Sequence, residues 1–542
     1  MLFHSAVYAL FLPTVLAIYW LLSLIKPPLR AVRAQNALLL FVSYFFYGWW
    51  DWRFVGLIIL SSLIDYAVGL SLDATDDQRR RRFILAASLA ANLGILGFFK
   101  YYNFFVGSAV QALTALGVAA HASTLRVILP VGLSFYTFQS LTYTVGVYRR
   151  ELPSQRDPIA FFAYVAFFPQ LVAGPIERAA HLLPQFLRPR HVAPEEFASG
   201  LRQITWGLFC KLVVADNCAV VVNSIFDSAA ARPGSVALLG ALFFAFQIYG
   251  DFSGYSHIAL GSARLLGFEL MQNFATPYFS QSIPEFWRRW HISLSTWFRD
   301  FVFIPLGGSR VSKWRYARNI ILTFTISGLW HGANWTFVVW GFLNGLYYLP
   351  HIFFGGSAPA VAAPRIPPPP RVDQESIDPV LIRPTAGAQV GAPAALRNYA
   401  SHPAPHPPAP RPRSAAPASR PVVLVLARVA VTFCLTMVAW IFFRAKTLHA
   451  AIATLGAVFS RSLFSNPLPA LRTEGVTTPM IFAGAAISLL LLFEFVQRDK
   501  GYALDVRRRS APERWAAYTA VIAVICCFRY TGSALDFIYF QF

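Results

Sequence analysis

The chain has 542 residues, 56% of them hydrophobic and only 13% charged, with a mean hydropathy of +0.50; ordinary soluble chains carry roughly 25% charged residues. This balance, with 49 Phe and 14 Trp suited to lipid contact and interfacial belts, excludes a string of soluble domains and predicts an all-α, polytopic integral membrane protein. A net charge of +21 would suggest nucleic acid on a soluble domain, but here Lys and Arg fall in short turns between apolar spans, as in cytoplasmic loops, so the expected partner is membrane lipid and no nucleic acid.

Met1–His4 carries no basic segment, and the apolar run Ala6–Ile25 has no small-residue cleavage site, so it is predicted to be a first membrane helix rather than a signal peptide. The positive charge of Lys26–Arg33 follows it, which places the N-terminus outside. A second span runs from Ala34 to Trp50 and ends in the aromatic cluster Tyr44–Trp52; a third, Val55–Leu72, leads into Arg79–Arg82, which gives the same topology. Phe83–Phe99 ends in FFKYYNFF, where Lys100 can snorkel to the interface. Phe105–Ala120 is rich in small residues. Val127–Tyr148 carries Ser134, Thr137, Gln139 and Thr142, which need partners and predict a position inside the bundle. Ile159–Val172 reaches Gly174-Pro175, a helix breaker that suits a re-entrant turn. Leu201–Val222 crosses with Lys211 embedded, and Ser235–Tyr249 leads into the central stretch.

After Trp335–Phe354 the composition changes. Gly355–Pro421 is rich in Pro, Ala and Arg and cannot bury enough apolar surface to fold, so an extended, disordered insert is predicted. Residues 357–421 supply seven Arg against three acidic residues, so most of the net charge belongs to the rest of the chain. Val422–Phe443, Thr478–Phe495 and Trp515–Phe528 close the chain, with VRRRSAPER at 506–514 as a further cytoplasmic turn. The expected organisation is a membrane domain in two parts, 1–354 and 422–542, around the insert 355–421. At roughly twenty residues per crossing, about a dozen transmembrane helices are expected, with re-entrant or interfacial segments. The five cysteines show no metal-ligand spacing and read as buried apolar thiols, so no metal site is predicted.

The chemistry concentrates in residues 247–341. His331 sits in the largely apolar run Ile320–Trp340, where an ionisable group is a functional-site hypothesis by default. Trp330, Gly332, Asn334 and Trp335 surround it, and the glycine allows close approach of another chain or a substrate. A neutral imidazole can take a proton from an attacking hydroxyl; a histidine held by an interhelical hydrogen bond is the competing reading, and composition leaves both open. Phe286–Asp300 is expected to form one interfacial helix, begun by Ser282 and Pro284, with Arg288, His291, Ser295 and Phe298 along one stripe and Arg289 on the next. Interfacial anchoring explains the arginines and tryptophans, but anchoring has no need of the His291 imidazole. Asp251, in QIYGDFSGYS, either orients a histidine or arginine or holds the bundle together as a buried partner. Hydrolase, zinc-protease, P-loop and dinucleotide motifs are absent from the sequence.

The segments QLVAGPIER, YGDFSGYS, NFATPYFSQSIPEFWRRWHISLSTWFRD, IPLGG and LWHGANWTFVVWG, with the opening MLFHSAVYALFLPTVLAIYWLL and the closing FIYFQF, resemble the membrane-bound O-acyltransferases. The likeness is to the bacterial branch that includes the membrane subunit of alginate O-acetylation, and it covers nearly the whole chain except the insert. It implies an O-acyltransferase of the bacterial inner membrane that moves an acyl group, most naturally acetyl, from a cytoplasmic donor toward an exported polysaccharide. His331 would be catalytic and His291 the second important position, with Asp251, Arg288, Arg289, Asn334 and Trp330 as substrate or structural support. The donor would be acetyl-CoA or an acylated carrier, with no tightly bound cofactor. The partners would be periplasmic acetyltransferase proteins and a polysaccharide synthesis and export complex. Two alternatives remain: D-alanyl transfer to teichoic acid, and a non-enzymatic transporter or scaffold subunit. One departure is evident. Where relatives carry a further histidine, this chain reads Gly341-Phe342-Leu343-Asn344-Gly345, and Asn344 cannot act as a base.

Overall fold

The computed structural model describes residues 1–119, 125, 129–172, 174–227, 232–354, 421–473, 475–498, 500–507, 509–532 and 537–538. The insert predicted at 355–421 lies outside them apart from Pro421, as do residues 127–128 of the predicted polar span and 539–542 of the closing segment. The described residues form helices and turns with no strand. In chain order the first helices are α1 (Ala6–Leu22), α2 (Pro28–Asp51), α3 (Val55–Asp73), α4 (Gln78–Leu96), α5 (Tyr102–Ala115), α6 (Leu133–Tyr148), α7 (Pro158–Ala166) and α8 (Phe168–Leu171). They are followed by α9 (Ala179–Leu182), α10 (Pro194–Leu208), α11 (Asp216–Phe226), α12 (Gly234–Leu265), α13 (Ile283–Arg289), α14 (Ile292–Phe298), α15 (Lys313–His331) and α16 (Trp335–Phe354). Three longer helices, Val422–Arg444, Thr477–Val496 and Ala511–Phe528, close the chain.

Among the described residues eight helical stretches are long and apolar enough to cross a membrane. Three of them are compound, Pro28–Asp73 of 46 residues, Gln78–Ala115 of 38 and Pro194–Phe226 of 33, and three shorter apolar helical stretches accompany the eight. Eight is fewer than the dozen or so expected from length, since several apolar runs join into longer compound helices and others stay short. Local signals set the ends. Ser5 accepts from Tyr8 N, Pro28 opens α2, and Ser510 and Glu513 form a capping box before the last helix.

The centre of the bundle is α12, about 48 Å long at 1.5 Å per residue, with Phe243–Ala263 buried on all sides. α10 lies against it at glycine contacts: a Cβ on Gly207 would stand 2.6 Å from the Gly254 carbonyl oxygen, and one on Gly254 2.7 Å from that of Gly207. Only glycine permits this approach, the small-residue packing that joins helices in lipid. α6 is buried along nearly its whole length, as its polar residues predict. Gln139 donates to Tyr164 O, and Thr142 accepts from Ala179 N. The helix breaks at Gly174-Pro175 as expected, and the non-helical stretch there is buried within protein. Ile176 N finds Ser293 Oγ at 2.9 Å, in line with the rule that irregular backbone at membrane depth is tolerated where protein satisfies it.

Lys211 lies on a π-helical turn between α10 and α11 and is 1% exposed; its Nζ is 2.8 Å from both Asp216 Oδ1 and Asp251 Oδ1. Asp251 therefore orients neither a histidine nor an arginine but holds the bundle through a lysine.

Candidate active site

The single helix expected over Phe286–Asp300 is two short helices, α13 and α14, meeting at Trp290-His291. Ser282 and Pro284 do begin the first, with Ser282 Oγ accepting from Glu285 N. The break comes from His291 itself, whose φ of 43° and ψ of 54° are left-handed, a conformation uncommon for residues other than glycine and costing of order 1–3 kcal/mol. The predicted stripe of Arg288, His291, Ser295 and Phe298 therefore does not exist as one helical face. Residues 273–275 over-determine the turn. Asn273 O accepts from Ile292 N at 2.9 Å, Ala275 N donates to Arg289 O at 3.0 Å, and Asn273 Oδ1 accepts from Ser293 Oγ at 2.6 Å. The His291 side chain is fully buried, edge-on to Phe252 at 4.6 Å. Neither of its ring nitrogens has a hydrogen-bond partner among the described residues.

His331 is the last residue of α15 and is 4% exposed. Trp330, Trp340 and Phe443 surround its ring at centroid distances of 4.9, 5.0 and 5.4 Å. α15 and α16 are joined by a tight turn. A Cβ on Gly332 would meet the Phe337 ring, and one on Gly328 would stand 3.0 Å from Gly341 Cα. The close approach that Gly332 permits is thus to its own chain. Asn334 caps α16, accepting from Thr336 N at 3.0 Å, and donates to Lys446 O at 2.9 Å.

The two imidazoles, forty positions apart in sequence, come within 6.4 Å between ring centroids. A cleft lined by Lys100, Pro130, Gly132, Phe135, Trp330 and His331 reaches the second of this pair, with His291 buried behind it. Lys100 lies about 31 Å along the helix from Arg79 at 1.5 Å per residue, close to the ~30 Å of a hydrocarbon core, so the cleft sits at the far end from the Arg79–Arg82 cluster. A second cleft, lined among others by Gln272, Thr276, Glu494, Arg498 and Tyr502, includes Tyr249, whose ring is 5.9 Å from Trp290. The Trp330 indole N–H is buried and has no acceptor among the described residues. A proton acceptor in a cleft wall and buried donors without protein partners among the described residues together suit transfer of a group to a hydroxyl with water excluded.

Residues 2–358 match the sequence profile of the membrane-bound O-acyltransferase family. The chain belongs to that family. It is 43% identical over 350 residues to the "Probable alginate O-acetylase" of Azotobacter vinelandii, covering 64% of this chain and 68% of that protein. It is 37% identical over 334 residues to the "Peptidoglycan O-acetyltransferase" of Helicobacter pylori, covering 57% of this chain and 62% of that protein. It is 28% identical over 229 residues to the "Teichoic acid D-alanyltransferase" of Streptococcus thermophilus, covering 40% and 55%. The protein is thus an acyltransferase of the membrane-bound O-acyltransferase family, with many membrane-crossing helices.

On this O-acyltransferase scaffold the remaining predicted site residues fall away from the histidine pair. Asp251 pairs with Lys211. Arg289 bridges to Glu285 at 2.7 Å, and Arg288 is exposed. Asn344, at the position of the departure, is buried and accepts from Trp287 Nε1 at 3.3 Å. Of the five cysteines, Cys210 and Cys218 are buried as expected, but Cys434, Cys526 and Cys527 are exposed, on apolar helices. Among the described residues no group of three or more His, Cys, Asp or Glu could hold a metal. Lys100 does not snorkel outward: its Nζ donates to Trp330 O at 2.5 Å and His331 O at 3.3 Å. The sequence carries no mark separating an inward lysine from a snorkelling one. Asn273, in NFATPYF, was likewise invisible as the partner of the His291 turn.

Proposed function

We propose that this acyltransferase moves an acetyl group from a cytoplasmic thioester donor, acetyl-CoA or an acylated carrier, toward the O-acetylation of an exported polysaccharide, with the bacterial inner membrane as its location. The placement of His331 in the wall of a cleft, with the His291 ring 6.4 Å behind it, is the observation that carries this reading. His331 accepts the proton of the acceptor hydroxyl as its oxygen attacks the acyl carbon; the new C–O bond forms, the C–S bond breaks, and the proton passes to the leaving thiolate. His291 and the Trp330 indole N–H stand beside the reacting atoms as donors to developing charge. The cleft at Lys100 takes the acceptor. The second cleft, near the basic 506–514 turn, takes the donor, whose anionic portion suits Arg498 and Lys500. Names among the relatives support acetyl over D-alanyl, since the O-acetylating proteins match at 37–43% identity and the D-alanyltransferases at 27–28%. Periplasmic acetyltransferase proteins and a polysaccharide export complex are the partners this reading calls for.

The test is ester content of the exported polysaccharide in a deletion strain, complemented with wild type or His331→Ala at matched membrane levels. Restoration by wild type alone is the expected result. Full restoration by His331→Ala would remove His331 from the chemistry, and no restoration by either would remove polysaccharide as the acceptor.

A further inference from the structure

α15 ends at His331 with carbonyl groups that the helix itself cannot satisfy. The common solution is a left-handed glycine after the last turn, and a glycine is available at 332. It is not used that way: Gly332 is extended, with φ −161° and ψ 150°. Two consecutive residues of another segment bond these carbonyls. The Tyr101 hydroxyl donates to Leu329 O at 3.0 Å, and Lys100 Nζ donates to Trp330 O at 2.5 Å and to His331 O at 3.3 Å. Three successive carbonyls, ending at His331, are thus held from outside.

Both donors lie on the π-helical turn Gly97–Tyr101 that joins α4 to α5. Such turns place an extra residue in a helix and recur at functional sites. The arrangement is costly. Lys100 is only partly buried by area, yet its ammonium lies over the Trp330 ring at 5.7 Å and pairs with no carboxylate among the described residues. A lysine serving only as an interfacial anchor would reach the headgroups; this one points its charge at the negative end of a helix dipole.

We infer that Lys100, aided by Tyr101, is a positioning residue that fixes the backbone at His331 and so aims its imidazole. This rests on the acyl-transfer reading above. In catalysis, displacement by about 1 Å costs on the order of 100-fold in rate, so releasing the two carbonyls nearest His331 acts chiefly on turnover, more than on acceptor binding.

The experiment measures ester formation by membranes carrying wild type, Lys100→Met, Lys100→Arg, Tyr101→Phe or His331→Ala. Acetyl-CoA is the donor and the strain's own exported polysaccharide is the titrated acceptor. Folded protein is quantified by detergent extraction and size-exclusion chromatography. Lys100→Met is expected to lower kcat by about 10- to 100-fold, with any rise in acceptor KM smaller than that loss because Lys100 also lines the cleft, Lys100→Arg to recover part of the kcat, and Tyr101→Phe, outside the cleft lining, to lose less at unchanged KM. Wild-type kcat in folded Lys100→Met overturns the inference, as does a loss confined to KM or one that tracks folded protein. Should Lys100→Met fail to accumulate, Lys100→Arg and Tyr101→Phe decide: normal kcat in both overturns it, a graded loss at constant KM supports it. A wild type that forms no ester brings down the functional reading instead, and this inference with it.

Discussion

Asp251→Ala tests whether the polar centre of the bundle is structural. Lys211 Nζ sits 2.8 Å from Asp251 and 2.8 Å from Asp216, with the Lys211 and Asp251 side chains 1% and 3% exposed. Breaking a buried pair costs about 3–5 kcal/mol because the remaining charge stays desolvated. Asp216 still faces Lys211, which puts the expectation near the lower end. Asp251 Oδ2 also accepts from Ile538 N at 2.6 Å, and the loss of that charged acceptor adds about 1–3 kcal/mol. A total of about 4–6 kcal/mol is a large part of the stability of an ordinary protein. Asp251→Ala should therefore lower the melting temperature of the detergent-solubilised protein sharply and reduce its membrane level. Asp251→Asn, which keeps an acceptor for Ile538, should lose less. Transfer per folded molecule should be retained in Asp251→Asn. Melting of Asp251→Ala indistinguishable from wild type would refute the reasoning, and a stable Asp251→Asn without activity would place Asp251 in the chemistry.

Gly254→Val would put a Cβ 2.7 Å from the Gly207 carbonyl oxygen and 3.0 Å from Lys211 N, so α10 and α12 must separate; folded protein in a size-exclusion profile should fall by most of its amount, while Gly484→Ala, with nothing near its Cβ, should leave the profile unchanged. At His291 the backbone and the imidazole are separable. His291→Gly should melt higher than His291→Ala by an amount corresponding to about 1 kcal/mol, because glycine adopts the left-handed conformation without penalty. Both should lose most of their ester-forming activity, and an active His291→Gly would show that only the turn matters there.

The features legible in the sequence are those that physical necessity writes into composition. Ser134, Thr137, Gln139 and Thr142 in one apolar stretch had to be buried against partners, and α6 is buried along nearly its whole length. Ser282 and Pro284 announced a helix start, and Ser282 Oγ accepts from Glu285 N there. The break at His291 was hidden because apolar periodicity continues across it and the residue is not a glycine. The approach of His291 to His331 depends on how α13, α14 and α15 are folded together, through Asn273 and the 273–275 segment, which no local pattern encodes. Asp251 was legible as a buried charge but not its partner: Lys211 looked like an isolated lysine in a span, and the π-helical turn that presents it has no sequence signature.

The α15–α16 turn has a consequence for engineering. Its contacts are made at the level of the backbone: Gly328 against Gly341 Cα and the Phe337 carbonyl, and Gly345 against Ile321 Cα. Backbone has no rotamers to exchange, so this joint cannot be remodelled a side chain at a time, and the residue it carries, His331, is poor ground for altering what the protein accepts. The opposite wall of the cleft is different. Pro130 and Val131 lie outside any helix and lead through Gly132, at φ 75°, into α6. A library aimed at acceptors of new shape belongs at Leu129 and Val131, both partly exposed, where side chains can change volume while the imidazole stays where the hairpin holds it, and not at Gly132, where a Cβ would stand 2.7 Å from the Leu171 carbonyl oxygen.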